Sequence, residues 1–454
     1  MVDRLRQPKK TLLDKLKGNT PLYFLLGYIG VICLGMLLLM LPVSQQAGKS
    51  ISLPDAFFTA TSAVCVTGLS PVVTAQHWSV FGQVVLLFLI QIGGLGIMTF
   101  VAIFGLLTNQ RFSIMDRKRL MEEKNQNELT GMVRLIKFIL LATFVIEGIG
   151  AFFLALRFIP QFGAVKGIWF SLFHAVSSFC NAGFDLLGPE SLVPYQHDPL
   201  IVLTISLLII LSGLGYTVYL DLWRAHKGER IHLHAKIVLS ATAVLLVGGT
   251  LLILLTEANN PETLGMLSLP QKALNAFFQS VTTRTAGFYT FAQEKMTQVG
   301  SLSSILLMFI GGSPAGTAGG LKTTTMVALL LGLVSALRSS RDVSVFRRTI
   351  AKDVIHSAFV LFALATLWNA LALFLLSMTE RTLPLGNLLF ESISAFGTVG
   401  LTQNVTPNLS VSGKMIIALT MLYGKLGPLT LLHALIPKAR HRNNRLAQEN
   451  LLIG

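Results

Sequence analysis

Charge is what this chain has least of. Only 13% of its 454 residues are Asp, Glu, Lys or Arg, about half the share in an ordinary soluble domain. With 52% hydrophobic residues and a mean hydropathy of +0.66, that deficit argues against a solvated globular surface and makes the bilayer the expected solvent. Cysteine is scarce too. Cys33, Cys65 and Cys180 are an odd number in apolar or loop sequence, without metal-ligand spacing, so no disulfide framework or zinc site is indicated. The sequence also lacks a His-Glu-x-x-His pair, paired intramembrane aspartates and a Gly-x-Ser-x-Gly turn, which leaves no enzyme constellation at a membrane face. Gly316-Thr-Ala-Gly-Gly-Leu-Lys322 approaches a phosphate-binding loop, but its lysine does not directly follow the final glycine and no strand precedes it. Acidic residues are few, and the net charge is +15. The basic residues sit in short segments between apolar spans, so membrane topology rather than nucleic acid accounts for them.

Eight apolar spans are expected, near 21–42, 79–107, 132–157, 199–222, 235–256, 300–336, 354–378 and 412–436. The first is too long for a signal-peptide core and no small-x-small cleavage site follows it. After every odd-numbered span comes a shorter segment, near 54–68, 168–182, 270–286 and 386–399. Each reads as one to two helical turns and a small-residue tail ending in glycine, the pattern of a re-entrant loop. Lys and Arg cluster in the N-terminal segment, at Arg111, Arg117, Lys118, Arg119 and Lys124, at Arg224, Lys227 and Arg230, at Arg338, Arg341, Arg347, Arg348 and Lys352, and at Lys438, Arg440, Arg442 and Arg445. The positive-inside rule places these loops and both termini in the cytoplasm, with the re-entrant segments entering from outside.

Four segments repeat about every 110 residues. They end in Val66-Thr67-Gly68, Asn181-Ala182-Gly183, Thr285-Ala286-Gly287 and Thr398-Val399-Gly400, and Phe58, Phe173, Phe277 and Phe390 stand ten residues ahead of the glycines. The following helices match in outline: Gln91-Ile-Gly-Gly-Leu-Gly96, Leu211-Ser-Gly-Leu-Gly215, Phe309-Ile-Gly-Gly312 and Tyr423-Gly-Lys-Leu-Gly427. A selective pore replaces an ion's water shell with rings of backbone carbonyls. Glycine adopts the backbone that such a ring demands and admits close approach. A short helix ahead of each ring segment favours a cation at its C-terminal end. A single glycine also serves helix packing, but four at matched positions do not reduce to that. The expected fold is an all-α membrane protein: eight transmembrane helices plus four re-entrant pore helices, as four M1–P–M2 repeats around a pseudo-four-fold pore. The expected organisation is a basic segment 1–20; repeat 1 over 21–107 with pore loop 54–69; a linker and repeat 2 over 108–223 with pore loop 168–184; repeat 3 over 224–336 with pore loop 270–288; repeat 4 over 337–437 with pore loop 386–401; and a tail 438–454. A non-conducting subunit has no reason to repeat the glycine four times, and a secondary transporter built on inverted repeats does not suit four units of one orientation.

Thr61-Ser-Ala-Val-Cys-Val-Thr-Gly-Leu69, Thr282-Thr-Arg-Thr-Ala-Gly-Phe288, Ser394-Ala-Phe-Gly-Thr-Val-Gly-Leu401 and Gly311-Gly-Ser-Pro-Ala-Gly-Thr-Ala-Gly-Gly-Leu-Lys-Thr323 resemble the Trk/Ktr/HKT superfamily of potassium transporters, from about residue 20 to the end. The two extra N-terminal spans of Trk-type subunits are absent, so the chain is most similar to the membrane subunits of bacterial Ktr systems. The resemblance implies the twelve residues above as a potassium-binding filter, with Gly68 on the potassium side of a family in which some sodium-permeable plant members carry serine there. It further implies plasma-membrane potassium uptake stimulated by sodium, a homodimer with one pore per protomer, and a cytosolic KtrA-like ring that binds nucleotide. No covalently bound cofactor is expected, only transported potassium and sodium as an activator.

The sixth span is too long for one crossing. It is interrupted by Gly311, Gly312, Ser313, Pro314, Ala315, Gly316, Thr317, Ala318, Gly319 and Gly320, too rich in glycine and proline to hold a helix. Broken backbone at membrane depth lines cavities, and in the family the matching segment is the intramembrane loop that controls conduction. Residues 311–320 are therefore the expected gate, with Lys322 and Lys425 as fixed charges beside it. The family usually has arginine where Lys425 stands, which puts a multi-bond latch in doubt. Arg284 and Glu391 are expected to brace the pore loops, against each other if close, Glu147 to face a partner or a wet cavity, and His174 and His433 to be structural.

Overall fold

The structure is a computed structural model describing residues 20–97, 99–100, 102, 120–122, 132–340 and 342–435. Most of the expected segment 1–20, the basic residues from Arg111 to Lys124, Arg341 and the tail 438–454 lie outside the described residues, as does the end of the span expected at 79–107. In order, the elements are α1 (Thr20–Met40), α2 (Leu53–Cys65), α3 (Val80–Leu95), α4 (Met132–Phe162), α5 (Ala164–Phe179), α6 (Pro199–Leu214), α7 (Tyr216–His226), α8 (Leu233–Glu257), α9 (Leu269–Thr282), α10 (Gln298–Phe309), α11 (Thr323–Leu337), β1 (Val343–Val345), β2 (Arg348–Ile350), α12 (Lys352–Thr379), α13 (Leu385–Gly397), α14 (Val411–Leu426) and α15 (Pro428–Leu435).

Among the described residues α1, α4, α8 and α12 are long and apolar enough to cross a membrane, and the bent pairs α6–α7 and α14–α15 bring the number to six. The spans expected as continuous at 199–222 and 412–436 are broken, with bends of 90° and 100°. The backbone reason is the glycine that closes each helix motif. Gly96, Gly215 and Gly427 have φ of 88°, 86° and 83°. A right-handed helix does not run through such a residue, and glycine adopts it without steric cost. After Gly96 the helix restarts, with the Phe100 N–H donating to the Gly96 carbonyl at 3.0 Å. The sixth span divides as expected into α10 and α11.

The short helices exceed the expected one or two turns: α2, α5, α9 and α13 hold 13, 16, 14 and 13 residues. Their starts carry local signals. Ser52-Leu-Pro54 and Ser268-Leu-Pro270 each put a serine at the N-cap and a proline in the first turn, and Ser268 and Gln271 close a capping box. The all-α expectation misses one feature, the β1–β2 hairpin, paired Val343 with Ile350 and Val345 with Arg348. Its two turn residues, Phe346 and Arg347, are both left-handed, the geometry of a two-residue hairpin turn. They lack the Asn-Gly that marks such turns.

At one end of the bundle each second helix opens on a capped turn: Ser79, Asp198, Thr297 and Ser410 accept backbone N–H groups of α3, α6, α10 and α14. Charged residues on or just past the preceding long helices tie three of these caps down. Arg157 of α4 pairs with Asp198 at 3.0 Å. Glu380, just past α12, accepts the Ser410 N–H and hydroxyl. Glu257, ending α8 with no exposure, accepts the Thr297 N–H at 3.0 Å and hydroxyl at 2.6 Å, the Thr263 hydroxyl at 2.7 Å and the Asn260 amide at 2.7 Å. Removing it strands buried donors. Glu257→Ala is expected to destabilise the protein by about 2 kcal/mol or more, read as a lowered thermal midpoint in detergent, with Glu257→Gln intermediate. An unchanged midpoint would show that these bonds do not hold the α8–α10 joint.

Candidate functional site

The segments after α2, α5, α9 and α13 share one backbone. Val66, Asn181, Thr285 and Thr398 are left-handed, with φ of 50°, 58°, 75° and 51°. After Thr67, Ala182, Ala286 and Val399, the glycines return to positive φ at 96°, 71°, 82° and 93°. This alternation turns successive carbonyls toward one side. Sequence reasoning assigned the unusual backbone to glycine alone and missed the left-handed residue two positions earlier, which has a Cβ in all four copies. Buried hydrogen bonds compensate for that strain. The N–H groups of Thr67, Ala182 and Val399 donate to Ser62, Ser177 and Ser394 carbonyls, each at 2.8 Å, and Ala286 donates to Thr282 at 3.0 Å. Serine hydroxyls on the short helices hold the glycines directly: Gly68 and Gly400 N–H donate to Ser62 and Ser394 Oγ at 3.1 Å. The third copy is one residue tighter, so Phe278, not the expected Phe277, takes the fully buried place held by Phe58, Phe173 and Phe390.

The four segments close into a ring in chain order. A Cβ on Gly68 would lie 2.6 Å from the Ala182 carbonyl oxygen; on Gly183, 2.7 Å from that of Ala286; on Gly287, 2.7 Å from that of Val399; on Gly400, nearer still to that of Thr67. Each glycine thus leaves room for its neighbour's carbonyl. All twelve expected filter residues meet here, and the four glycines border a cavity of about 370 Å³. Asn181 ties the ring laterally, donating to Thr285 Oγ1 at 3.2 Å and accepting from Ser212 at 2.8 Å.

Beneath the ring runs the non-helical stretch 310–322. Gly311 N–H donates to the Leu321 carbonyl at 2.9 Å, closing the stretch at its neck. Its returning limb packs against the ring: Gly319 N–H donates to Thr398 Oγ1 at 3.1 Å, and a Cβ on Gly320 would lie 3.1 Å from Gly397 Cα. The breaks in the neighbouring helices receive it. Ser313 N–H donates to the Gly213 carbonyl at 3.0 Å, Tyr216 N–H to that of Ala315 at 3.2 Å, and Gly320 N–H to that of Gly424 at 3.2 Å. A Cβ on Gly215 would strike the Pro314 carbonyl. Both expected lysines reach the stretch: Lys425 Nζ donates to the Thr317 carbonyl at 2.8 Å and Lys322 Nζ to that of Ala318. A cavity of about 170 Å³ lies beside them, reached also by Gly94, Gly96 and Glu122.

The expected brace between Arg284 and Glu391 does not form. Arg284 donates to Thr242 on α8, while Glu391 accepts from Thr402 at 2.7 Å and from Thr406, closing the loop beyond the fourth ring segment. The nearby hydroxyls meet Glu391's acceptors, so it needs no cation. Glu147 has the partner expected of it: the Gln91 amide donates at 3.2 Å, with Cys180 beside both. His174 is fully buried between the Phe170 carbonyl and the Leu186 N–H, a structural place. His433 is exposed on α15.

Residues 10–442 match the sequence model of the family described as TrkH, cation transport protein. The chain is 42% identical over 433 residues to the potassium/sodium uptake protein NtpJ of Enterococcus hirae, covering 94% of this chain and 96% of that protein. It is 39% identical over 422 residues to the Ktr system potassium uptake protein B of Bacillus subtilis, covering 93% and 94%. With its counterpart in Vibrio alginolyticus it shares 40% over 424 residues, covering 93% and 92%. The fold is similar to the crystal structure of the potassium transporter TrkH from Vibrio parahaemolyticus, at a TM-score of 0.69 and 18% identity over 90% of this chain and 85% of that one.

The ring makes a ranked stability prediction. Alanine at any ring glycine forces a Cβ into positive φ, about 1–2 kcal/mol, and onto a neighbour's carbonyl. Gly400→Ala, the most crowded, is expected to lower the thermal midpoint of the purified protein further than Gly68→Ala, Gly183→Ala or Gly287→Ala. Equal midpoints across the four variants and the wild type would refute the ring packing.

Proposed function

The chain belongs to the TrkH family of cation transport proteins, and on that footing we propose that it is a gated pore for potassium uptake across the plasma membrane. It is a transporter, not an enzyme. The observation that carries the reading is the closed ring of four carbonyls, from Thr67, Ala182, Ala286 and Val399, each seated against the preceding segment's glycine, that of Thr67 against Gly400. A potassium ion entering from the outer cavity sheds water and takes these carbonyl oxygens in its place. The C-terminal ends of the four short helices add their dipoles toward it. Val66, Asn181, Thr285 and Thr398 extend the ring inward as a second tier.

On this reading the chain is four M1–P–M2 repeats, with residues 21–107, 108–223, 224–336 and 337–437 as the units. The eight crossings count each broken second helix as one, with both termini cytoplasmic. Residues 311–320 are the gate. They lie across the inner side of the ring, and Lys322 and Lys425 hold them by their carbonyls while adding positive charge to the exit path. The relatives named as Ktr system potassium uptake proteins support a place in a Ktr-type system, and the reading includes a homodimer, control by a cytosolic nucleotide-binding ring and stimulation by sodium, as the sequence resemblance implies.

Two outcomes test this. In a strain lacking its own potassium uptake, the wild-type chain is expected to restore growth on low potassium and rubidium influx. Serine at Gly68, Gly183, Gly287 or Gly400 is expected to narrow the preference for potassium over sodium. Failure of the folded, membrane-inserted wild type to carry rubidium would end the proposal. Shortening 311–320 is expected to raise influx several-fold, and a well-folded variant with unchanged or lower influx would remove the gate assignment.

A further inference from the structure

The residue just ahead of each left-handed ring residue is Cys65, Cys180, Arg284 and Gly397 in the four copies. Three of these are uncharged. The third carries a fixed positive charge, because a guanidinium does not lose its proton in a protein. The tighter turn of the third copy sets its place. α9 ends at Thr282, and the N–H groups of Thr283, Arg284 and Ala286 donate to the carbonyls of Gln279, Val281 and Thr282 at 3.1, 3.1 and 3.0 Å. Arg284 thus stands past the helix end, one residue ahead of Thr285, and its side chain reaches α8, where it donates to Thr242 Oγ1 at 3.3 Å. It is only 4% exposed. Among the described residues this is nonetheless the side chain's one hydrogen bond, Nε has no partner, and no carboxylate lies within ion-pair distance. The buried acids of the neighbouring units are engaged elsewhere, Glu147 by Gln91 and Glu391 by Thr402 and Thr406. A guanidinium serving as a brace uses more of its five donors. What the geometry supplies is an uncompensated charge, poorly screened by water, on the ring's own chain.

Resting on the reading of the ring as a potassium filter, we propose that Arg284 is a specificity-determining residue that keeps divalent cations out of the ring by charge. Carbonyl dipoles and helix C-termini attract a doubly charged ion twice as strongly as a singly charged one. A divalent ion close to potassium in size, such as barium, therefore enters such a ring and is held too tightly to leave. A positive charge beside the ring opposes this, and its repulsion also doubles with the charge of the ion. At a separation on the order of 10 Å in a partly screened interior, it lowers occupancy by a monovalent ion roughly tenfold and by a divalent ion roughly a hundredfold. The difference between the two is discrimination by valence. The looser hold on potassium also shortens its stay, which conduction needs. Lys322 and Lys425 are placed differently. They donate to the Ala318 and Thr317 carbonyls of the stretch beneath the ring, whereas Arg284 adjoins a ring residue and touches no part of that stretch.

The test is initial rubidium influx into proteoliposomes holding the full chain, measured against rubidium concentration and against added barium. Arg284→Gln removes the charge and keeps a donor for Thr242. It is expected to lower the barium concentration for half-block roughly a hundredfold and the half-saturating rubidium concentration roughly tenfold. Arg284→Lys keeps the charge and is expected to keep wild-type barium block. So is Thr242→Val, which removes the hydrogen bond and leaves the charge. Loosened packing alone does not tighten cation binding, so this gain separates an effect of charge from a structural one. Barium block that is unchanged or weaker in Arg284→Gln overturns the proposal. So does block in Arg284→Lys or Thr242→Val as tight as in Arg284→Gln. Where Arg284→Gln does not fold, Arg284→Cys, with the residue of the first two copies, carries the same expectation. Failure of both neutral variants to fold overturns the proposal by assigning the residue to folding. A wild-type chain that carries no rubidium under any condition refutes the filter reading instead.

Discussion

Everything else in this structure is arranged around a mutual steric fit: the place where each ring glycine has no side chain is filled by the carbonyl oxygen of the next segment. The fit runs in chain order through four segments and closes on itself, so no segment is set independently of the other three. It requires a left-handed residue, a residue of ordinary hand and a second positive φ in each copy. That backbone is strained wherever a Cβ is present, and isolated it would relax. The short helices prevent this by accepting the segments' N–H groups on carbonyls and serine hydroxyls that are wholly buried.

The same conformational freedom acts a second time below the ring. Gly96, Gly215 and Gly427 break three second helices at equivalent places, and in the third unit the break grows into residues 310–322. The breaks are what make room for that stretch. The bend at Gly215 brings the Gly213 carbonyl and the Tyr216 N–H to it, and the end of α14 brings the Gly424 carbonyl and Lys425. Its contacts thus come chiefly from the second and fourth units, with the cavity beside Gly94 and Gly96 on the side of the first. A polar loop inside a membrane protein is tolerated on these terms because its backbone groups find partners in neighbouring broken helices rather than in lipid.

The ring was legible in the sequence because its constraint acts on residue type: positive φ at a crowded position admits glycine almost alone, and the demand recurs four times. The interruption of the sixth span was legible for a related reason, since a run as rich in glycine and proline as 311–320 does not sustain a helix. The breaks at Gly96, Gly215 and Gly427 were not, although their motifs stood aligned, because a single glycine in an apolar run is equally compatible with close packing. The left-handed Val66 and Thr398 left no trace, since tertiary bonds rather than residue preference hold them there. The tighter third segment was hidden by the adjacent Phe277 and Phe278, either of which completes the pattern. Glu391 and Arg284 were paired on charge, whereas threonine hydroxyls satisfy Glu391 and a helix hydroxyl meets Arg284.

The central claim is that the four closed segments bind a dehydrated monovalent cation on their common axis. The most direct measurement is anomalous diffraction from crystals of the full chain grown in rubidium. The account predicts an anomalous peak enclosed by the carbonyls of Thr67, Ala182, Ala286 and Val399. Well-ordered crystals with no peak between these carbonyls, and rubidium only at other places on the protein, would contradict it.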